Sequence, residues 1–472
     1  MSGQFAPGFT TQEHEITCDH LPVQGTIPPW LSGSLLRNGP AQFAVGQQAY
    51  RHWFDGLAML HRFSFHNGAV SYANKFLQSP NYKKARETGQ ISYSEFATDP
   101  CRSMFKRLAS AFSPDEPGSN ANVNISKIGE SFVALTETPL PIEFNPQTLE
   151  TMGVLHYADK LAGQTTTAHP HYDAQRKMGV NSLTNFSAKS SYSVYGIKDG
   201  ETKRTIIGSI PVQEPGYMHS FAMTERYVIL VEYPLVVNPL SMLTSGKPFI
   251  ANYHWKPERG SRFLVIRKSD GELVATYTSE AFFSFHHINA FEQGGDLLVD
   301  IAAYPDASLI RQLYMDNLLG PQGGDLAHGE YRRYRLPEGG STTHYEVLSE
   351  ESIELPRINY EHNNGQPYRF AYGVSQRKDR PDDFLNQLVK VDVATHSTSI
   401  VFEEGMYPGE PVFVVAPDAT SEDAGVVLSI VLDAKKGASF LLVLDAASFT
   451  ELARAEVPQH VPFGFHGIYT RK

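Results

Sequence analysis

The feature that most constrains this chain is a repeated strand, polar turn, strand unit. It is plainest in "FLVIRKSDGELVATY", "QLVKVDVATHSTSIVF" and "FLLVLDAASFTELARA". Taking the residue that ends the first apolar stretch as a marker gives Arg267, Asp392 and Asp445, and looser matches place markers at His66, Asn145, Gly196 and Tyr334. Seven such units, spaced roughly 50 to 80 residues apart, predict an all-β, seven-bladed propeller with one hairpin per blade. A chain of 472 residues is long enough for such a closed architecture. The expectation is a single propeller domain over 1–472, with capping insertions that include about 77–130.

Composition narrows the function classes. A net charge of -11, without a basic stripe, excludes a nucleic-acid footprint. Cys18 and Cys101 are the only cysteines, too few for a disulfide framework or a thiolate metal site, and they point to a reducing compartment. The first residues carry neither a basic nor an apolar leader region. Nothing approaches a membrane span, because the most apolar stretch, "YPLVVNPLSML", is broken by Pro234 and Pro239.

Histidine and glutamate recur in phase with the hairpins. Residues 18 to 24 positions beyond six of the markers include His169, His219, His286, Glu354, Glu410 and His466, and Glu137 lies just before the Asn145 marker. In a propeller a fixed offset means a fixed distance from the axis. The stretch "FSFHHINAF" adds a puzzle, since a strand alternates its faces and His286 and His287 cannot serve one site together. Phase alone does not select these residues from 18 histidines.

The motifs that do select them are "LRNGP" from Leu36, "HWFDGLAMLHRF" from His52, "ALTET" around Glu137, "TAHPHYD" around His169, "GYMHSF" around His219, "FHHIN" around His286, "YPGEPVFV" around Glu410 and "GFHGIY" around His466. Together with "INYEHNNGQPYRFAYG" and "EDAGVVLS" they run in order along nearly the whole chain, which resembles the carotenoid cleavage oxygenases. The resemblance implies a seven-bladed propeller closed around an axial metal, with helices and loops capping one face. It implies iron(II), Fe(2+), held by His169, His219, His286 and His466, with Glu137, Glu354 and Glu410 as carboxylates behind three of them and His169 left without one. By the same resemblance His286 is the ligand and His287 packs away from the metal. Thr136 matches a small residue that crowds an open iron position in several members.

Those residue types suit the chemistry. Four neutral imidazoles leave a divalent ion its charge and open positions, unlike a closed tetrahedral zinc site. Each needs an acceptor at its other nitrogen to fix tautomer and orientation. The resemblance further implies an iron-dependent dioxygenase that uses O2 to cleave one C=C bond of a carotenoid or apocarotenoid, and its closeness to the animal-type branch favours central cleavage of β-carotene to retinal. Retinoid isomerohydrolase and stilbene-cleaving chemistry are the alternatives within the family, and a non-catalytic propeller scaffold is the alternative outside it. Phe54, Phe96, Tyr233, Phe285 and Phe465 are candidates for a flat apolar substrate tunnel.

The segment "DPCRSMFKRLASAF" reads as an amphipathic helix with Asp99 as N-cap. By resemblance, residues 99–112 and 234–243 form a membrane-facing entrance, with Met104, Phe105, Leu108 and Phe112 as the contact residues. The expectation is a cytoplasmic, peripherally membrane-associated protein, with oligomeric state open.

Overall fold

A computed structural model describes residues 3–99, 118–321 and 323–471. Among these residues, seven antiparallel sheets of four or more strands follow one another around an axis as propeller blades. The second blade shows the plan: Asn124–Ile128 lies innermost, followed outward by Ser131–Leu135, Ile142–Phe144 and Thr151–Val154. The later inner strands are Thr165–Thr166 with His171–Asp173 in the third blade, Ala222–Met223 in the fourth, His287–Gln293 in the fifth, Glu354–Ile358 in the sixth and Val412–Val415 in the seventh.

All seven sequence markers fall in or directly after the third strand of their blade, from Leu57–His66 in the first to Ala438–Asp445 in the seventh. The repeat read from sequence is therefore the outer hairpin of each blade. These hairpins are legible because their outermost strands are largely exposed or half-exposed, as in Leu273–Ser279 and Ser397–Phe402, so polar residues punctuate the apolar runs. Second and third strands lie between neighbouring blades and are buried on both faces, as in Asp296–Ala303 and Gln387–Asp392.

Both chain ends close the ring. The strand Gly467–Arg471 pairs with Gly33–Gln42 as the inner edge of the first blade, and Val23–Gly25 pairs with Thr450–Glu456 as the outer edge of the seventh. Opening the ring means breaking a ladder at each end, while each blade keeps an inner and an outer edge strand that the radial arrangement leaves short and protected. Blades also meet closely at their turns. Gly271 in the "SDGE" turn has φ +75°, and a Cβ there would sit 1.7 Å from the Ile207 carbonyl oxygen of the preceding blade.

The insertion expected at about 77–130 is shorter than read from sequence, because residues from Asn124 onward already form the inner strand of the second blade. Within it, Pro80–Thr88 is helical, with the Ser79 hydroxyl accepting the Tyr82 N–H at 3.2 Å and Gly89 ending the helix at φ +64°. Two further short helices, Ser308–Gln312 and Met315–Leu318, lie in a loop of the fifth blade.

Candidate metal centre and active site

Three of the four histidines stand at the entrance to an inner strand: His219 three residues before Ala222–Met223, His286 immediately before His287–Gln293, and His466 immediately before Gly467–Arg471. His169 sits between the two short inner strands of the third blade. These turns lie where the blades converge on the axis, and one ring nitrogen from each histidine falls within 4.8 Å of the others. The Nε2 atoms of His169 and His219 are 3.0 Å apart, and those of His286 and His466 are 3.1 Å apart.

Carboxylates occupy the opposite ring nitrogens. Glu137 accepts from His219 Nδ1 at 2.7 Å, Glu410 from His466 Nδ1 at 2.7 Å, and Glu354 pairs with His286 Nδ1. A carboxylate on Nδ1 places the proton there and leaves the Nε2 lone pair facing the axis. Among the described residues no carboxylate hydrogen-bonds His169, the one histidine expected to lack such a partner. Glu354 and Glu410 belong to the inner edges of the sixth and seventh blades, whereas Glu137 follows the second strand of its blade, Ser131–Leu135. Its shorter route explains why it stands before, rather than after, its neighbouring marker.

Electrostatics keep this cluster in a metal-ready state. Burial pushes His169 well below the ordinary histidine range, reinforced by His466, His219 and His286, and it lowers His466 to about 3 against the pull of Glu410. His219 is likewise depressed by burial, with Glu137 opposing. Neutral imidazoles at physiological pH are what coordination requires. Burial by itself would raise Glu410, but Arg357 and Arg37 outweigh it and hold the carboxylate well below its usual range. For Glu354 burial is outweighed by His286, with the Tyr304 hydroxyl helping. Four converging imidazoles, three of them oriented by carboxylates, fit a divalent transition metal that keeps open positions.

Sequence reasoning missed the groups behind the carboxylates. Tyr217 donates its hydroxyl to Glu137 at 2.7 Å, and Tyr304 donates to Glu354 at 2.6 Å. Arg37 pairs with Glu410, which Arg357 Nε also approaches at 2.9 Å. Arg37 and Tyr217 lie inside motifs already singled out, "LRNGP" and "GYMHSF", which was the available signal. The neighbouring histidines part ways: His286 enters the cluster, while His287 Nδ1 lies 2.8 Å from the Ser220 hydroxyl.

An apolar cavity opens onto His219, His286 and His466. Phe54, Phe285 and Phe465 line it, with Trp53, Leu313 and Phe384. Phe54 stacks near the His219 ring at 6.3 Å, and Phe285 meets it edge-on at 5.1 Å. The Trp53 indole N–H donates to the Phe463 carbonyl at 3.0 Å and Tyr304 is engaged by Glu354, so these polar wall groups already have partners. Two tunnel candidates stand elsewhere. Phe96 packs behind Phe54 at 5.3 Å, and Tyr233 is core, packed on Phe282 and Phe283. Aromaticity and position in a motif could not separate a cavity wall from the core behind it. Thr136 is half-buried directly before Glu137.

The helix expected at 99–112 lies outside the described residues except for Asp99. In the segment 234–243, Leu235, Val236 and Val237 are buried in the core, which corrects their reading as an apolar surface patch, and Leu240 is exposed. The strand Leu235–Val236 pairs with His254–Trp255, and both of its side chains are covered. Among the described residues no helix is long and apolar enough to cross a membrane.

A family model described as RPE65, retinal pigment epithelial membrane protein, matches residues 9–471. The chain belongs to this carotenoid oxygenase family. It is 36% identical to the mitochondrial carotenoid-cleaving dioxygenase of Mustela putorius furo, over 98% of this chain and 96% of the relative. It is 35% identical to the β,β-carotene 15,15'-dioxygenase of Rattus norvegicus, over 95% of this chain and 88% of the relative. A crystal structure of cobalt-substituted Synechocystis ACO superposes with a TM-score of 0.89 at 25% identity, covering 99% of this chain and 98% of that one. The resemblance drawn from motifs and the propeller drawn from the hairpin repeat thus agree with the family match and with a solved propeller. The chain is an enzyme of the carotenoid oxygenase family.

Proposed function

We propose that this member is an iron(II)-dependent dioxygenase that cleaves one C=C bond of a carotenoid or apocarotenoid into two aldehydes, with central cleavage of β-carotene to retinal as the favoured reaction. The observation that carries this reading is the meeting of four converging imidazole donors with an apolar cavity that opens onto three of them. Bound there, iron(II) supplies the redox chemistry that dioxygen needs to react with a double bond. His169, His219, His286 and His466 would hold it, and Glu137, Glu354 and Glu410 keep three of those rings in one tautomer and one orientation. Flat walls formed by Phe54, Phe285 and Phe465 align a rigid polyene, exclude water and set one double bond beside the histidines.

The engaged polar groups of the wall speak against a stilbene, whose phenol would need a free partner inside the cavity. Peripheral contact with a lipid surface on the cytoplasmic side belongs to the same reading, since a carotenoid must be drawn from lipid. Residues 99–112 and the exposed Leu240 would make that contact.

The test is product analysis with and without O2. Aldehydes should form from β-carotene or an apocarotenal only when O2 is present. With labelled oxygen gas each fragment should carry one labelled atom, once exchange with water is controlled. Retinol formed from a retinyl ester without O2, with no polyene cleaved, would replace this reading with the isomerohydrolase one.

A further inference from the structure

The turn that carries two cavity walls is pinned by a buried carboxylate that the metal chemistry does not use. Trp53–Asp55 forms a short 3-10 turn, in which Trp53 and Phe54 face the cavity and Asp55 is fully buried. One Asp55 oxygen accepts the Ala97 N–H at 3.1 Å, and the other accepts the Thr98 hydroxyl at 2.6 Å. The Thr98 oxygen in turn accepts the Arg51 N–H at 2.8 Å, so the brace is tied to both sides of the turn. Asn122 donates to the Phe54 and Gly56 carbonyls at 2.7 and 2.8 Å, and Asn120 holds the Gly56 carbonyl at 2.7 Å.

Between the braced residues stands Phe96, 5.3 Å from Phe54 and 5.8 Å from Tyr217. Tyr217 donates to the carboxylate that orients His219, and Phe54 stacks near that same histidine. A continuous set of contacts therefore runs from Asp55 through the aromatic wall to one face of the metal centre. Burying a carboxylate is unfavourable, and burial here pushes the Asp55 carboxyl up to about 7 against the hydrogen bonds that stabilise its charge. A residue kept at that disadvantage is a candidate for a role beyond folding.

We propose that Asp55 is a positioning residue: by accepting from Ala97 and Thr98 together, it fixes the wall residue Phe54 and the Phe96 packed behind it, and so sets which double bond of a bound polyene lies beside the histidines. Asparagine keeps only part of this role. With its oxygen on the Ala97 N–H, its NH2 group meets Thr98 only by donating to the hydroxyl oxygen that already accepts the Arg51 N–H, which reverses that bond and takes the carboxylate acceptor away from the Thr98 proton. The inference rests on the functional reading above, and it adds the group that sets register along the cavity.

The experiment compares Asp55→Asn and Thr98→Val with wild type and with the conservative Thr98→Ser. In the first two, iron content and KM for β-carotene should stay near wild type. Their kcat should fall by roughly 10-fold, because small displacements of a reacting bond are heavily penalised, and off-centre aldehydes should rise relative to the main product. Thr98→Ser, which keeps the hydroxyl, should restore both rate and product ratio. A second readout needs no turnover: in metal-free protein, β-carotene should bind the Asp55→Asn variant with unchanged affinity but altered quenching of tryptophan emission, to which Trp53 on the same turn contributes. Unchanged kcat, product ratio and quenching would overturn the proposal, as would iron and kcat falling in parallel in both variants, which is the mark of a purely structural brace. Absence of aldehyde from every polyene with wild type would instead overturn the functional reading, and the quenching comparison would still decide the role of Asp55.

Discussion

Behind His219 and His286 the carboxylates end on tyrosines, whereas behind His466 the carboxylate ends on arginines. Glu137 and Glu354 each take one imidazole and one phenol, two uncharged donors in an arrangement that mainly orients a ring. Glu410 also accepts the Gly467 N–H at 3.1 Å, and Arg37 donates to the Phe465 carbonyl at 2.9 Å. Its network joins the sixth blade through Arg357, the seventh through Glu410 itself, and the first through Arg37 and the closing strand. One residue type in one role toward histidine thus does two jobs. Two copies position an imidazole, and the third also holds the seam where the ring closes.

The sharpest way to break that contrast is Glu410→Gln. Removing one partner of a buried ion pair strands the others, and losses of about 3–5 kcal/mol are typical. This variant should therefore lose both metal and thermal stability, read as iron content by elemental analysis and unfolding by calorimetry. A Glu410→Gln protein as stable as the Glu137→Gln variant would dissolve the distinction between seam and shell.

Next in size is the comparison of neighbours in the fifth blade. His286→Ala should lose iron and turnover while keeping the fold, because Tyr304 still anchors Glu354 across the fifth and sixth blades and the ring-closing seam does not depend on this histidine. His287→Ala should retain the metal, since its ring is bonded to Ser220. Iron retained in the first variant and lost in the second would reverse the assignment.

The smallest effects belong to the tyrosine-backed pair. Glu137→Gln and Glu354→Gln should lower iron affinity or kcat/KM by roughly 10- to 100-fold. Tyr217→Phe and Tyr304→Phe should lower them by less, since each phenol only steadies a carboxylate that still has its imidazole. Equal losses in the tyrosine and glutamate variants would mean that the phenol, not the carboxylate, orients the ring.

What could be read early follows from what repeats. The hairpin "FLVIRKSDGELVATY" lies in the third and fourth strands of its blade, Ser261–Arg267 and Leu273–Ser279, and the outer strand keeps a half-exposed pattern that a sequence displays. Buried-on-both-faces segments carry no such signal. "YPLVVNPLSML" looked like a surface patch because apolar content does not say which side a strand turns inward, and Tyr233 looked like a tunnel wall for the same reason. Asp55 gave no signal of its own, because one acid in a motif does not reveal that both its oxygens meet backbone and hydroxyl donors 42 and 43 residues away.

By itself the sequence determined the architecture, through the local periodicity of its hairpins, and the residues available near the axis, through motifs that resemble a family, since a recurring offset alone does not pick them from 18 histidines. Only the tertiary structure decided how those residues meet. The nitrogens of His286 and His466 approach to 3.1 Å across a separation of 180 residues, and they do so only once the last strand has paired with the first blade. Whether a carboxylate behind a histidine then finds a phenol or a guanidinium depends on which blades the closed ring sets side by side, and no local pattern in the chain encodes that neighbour.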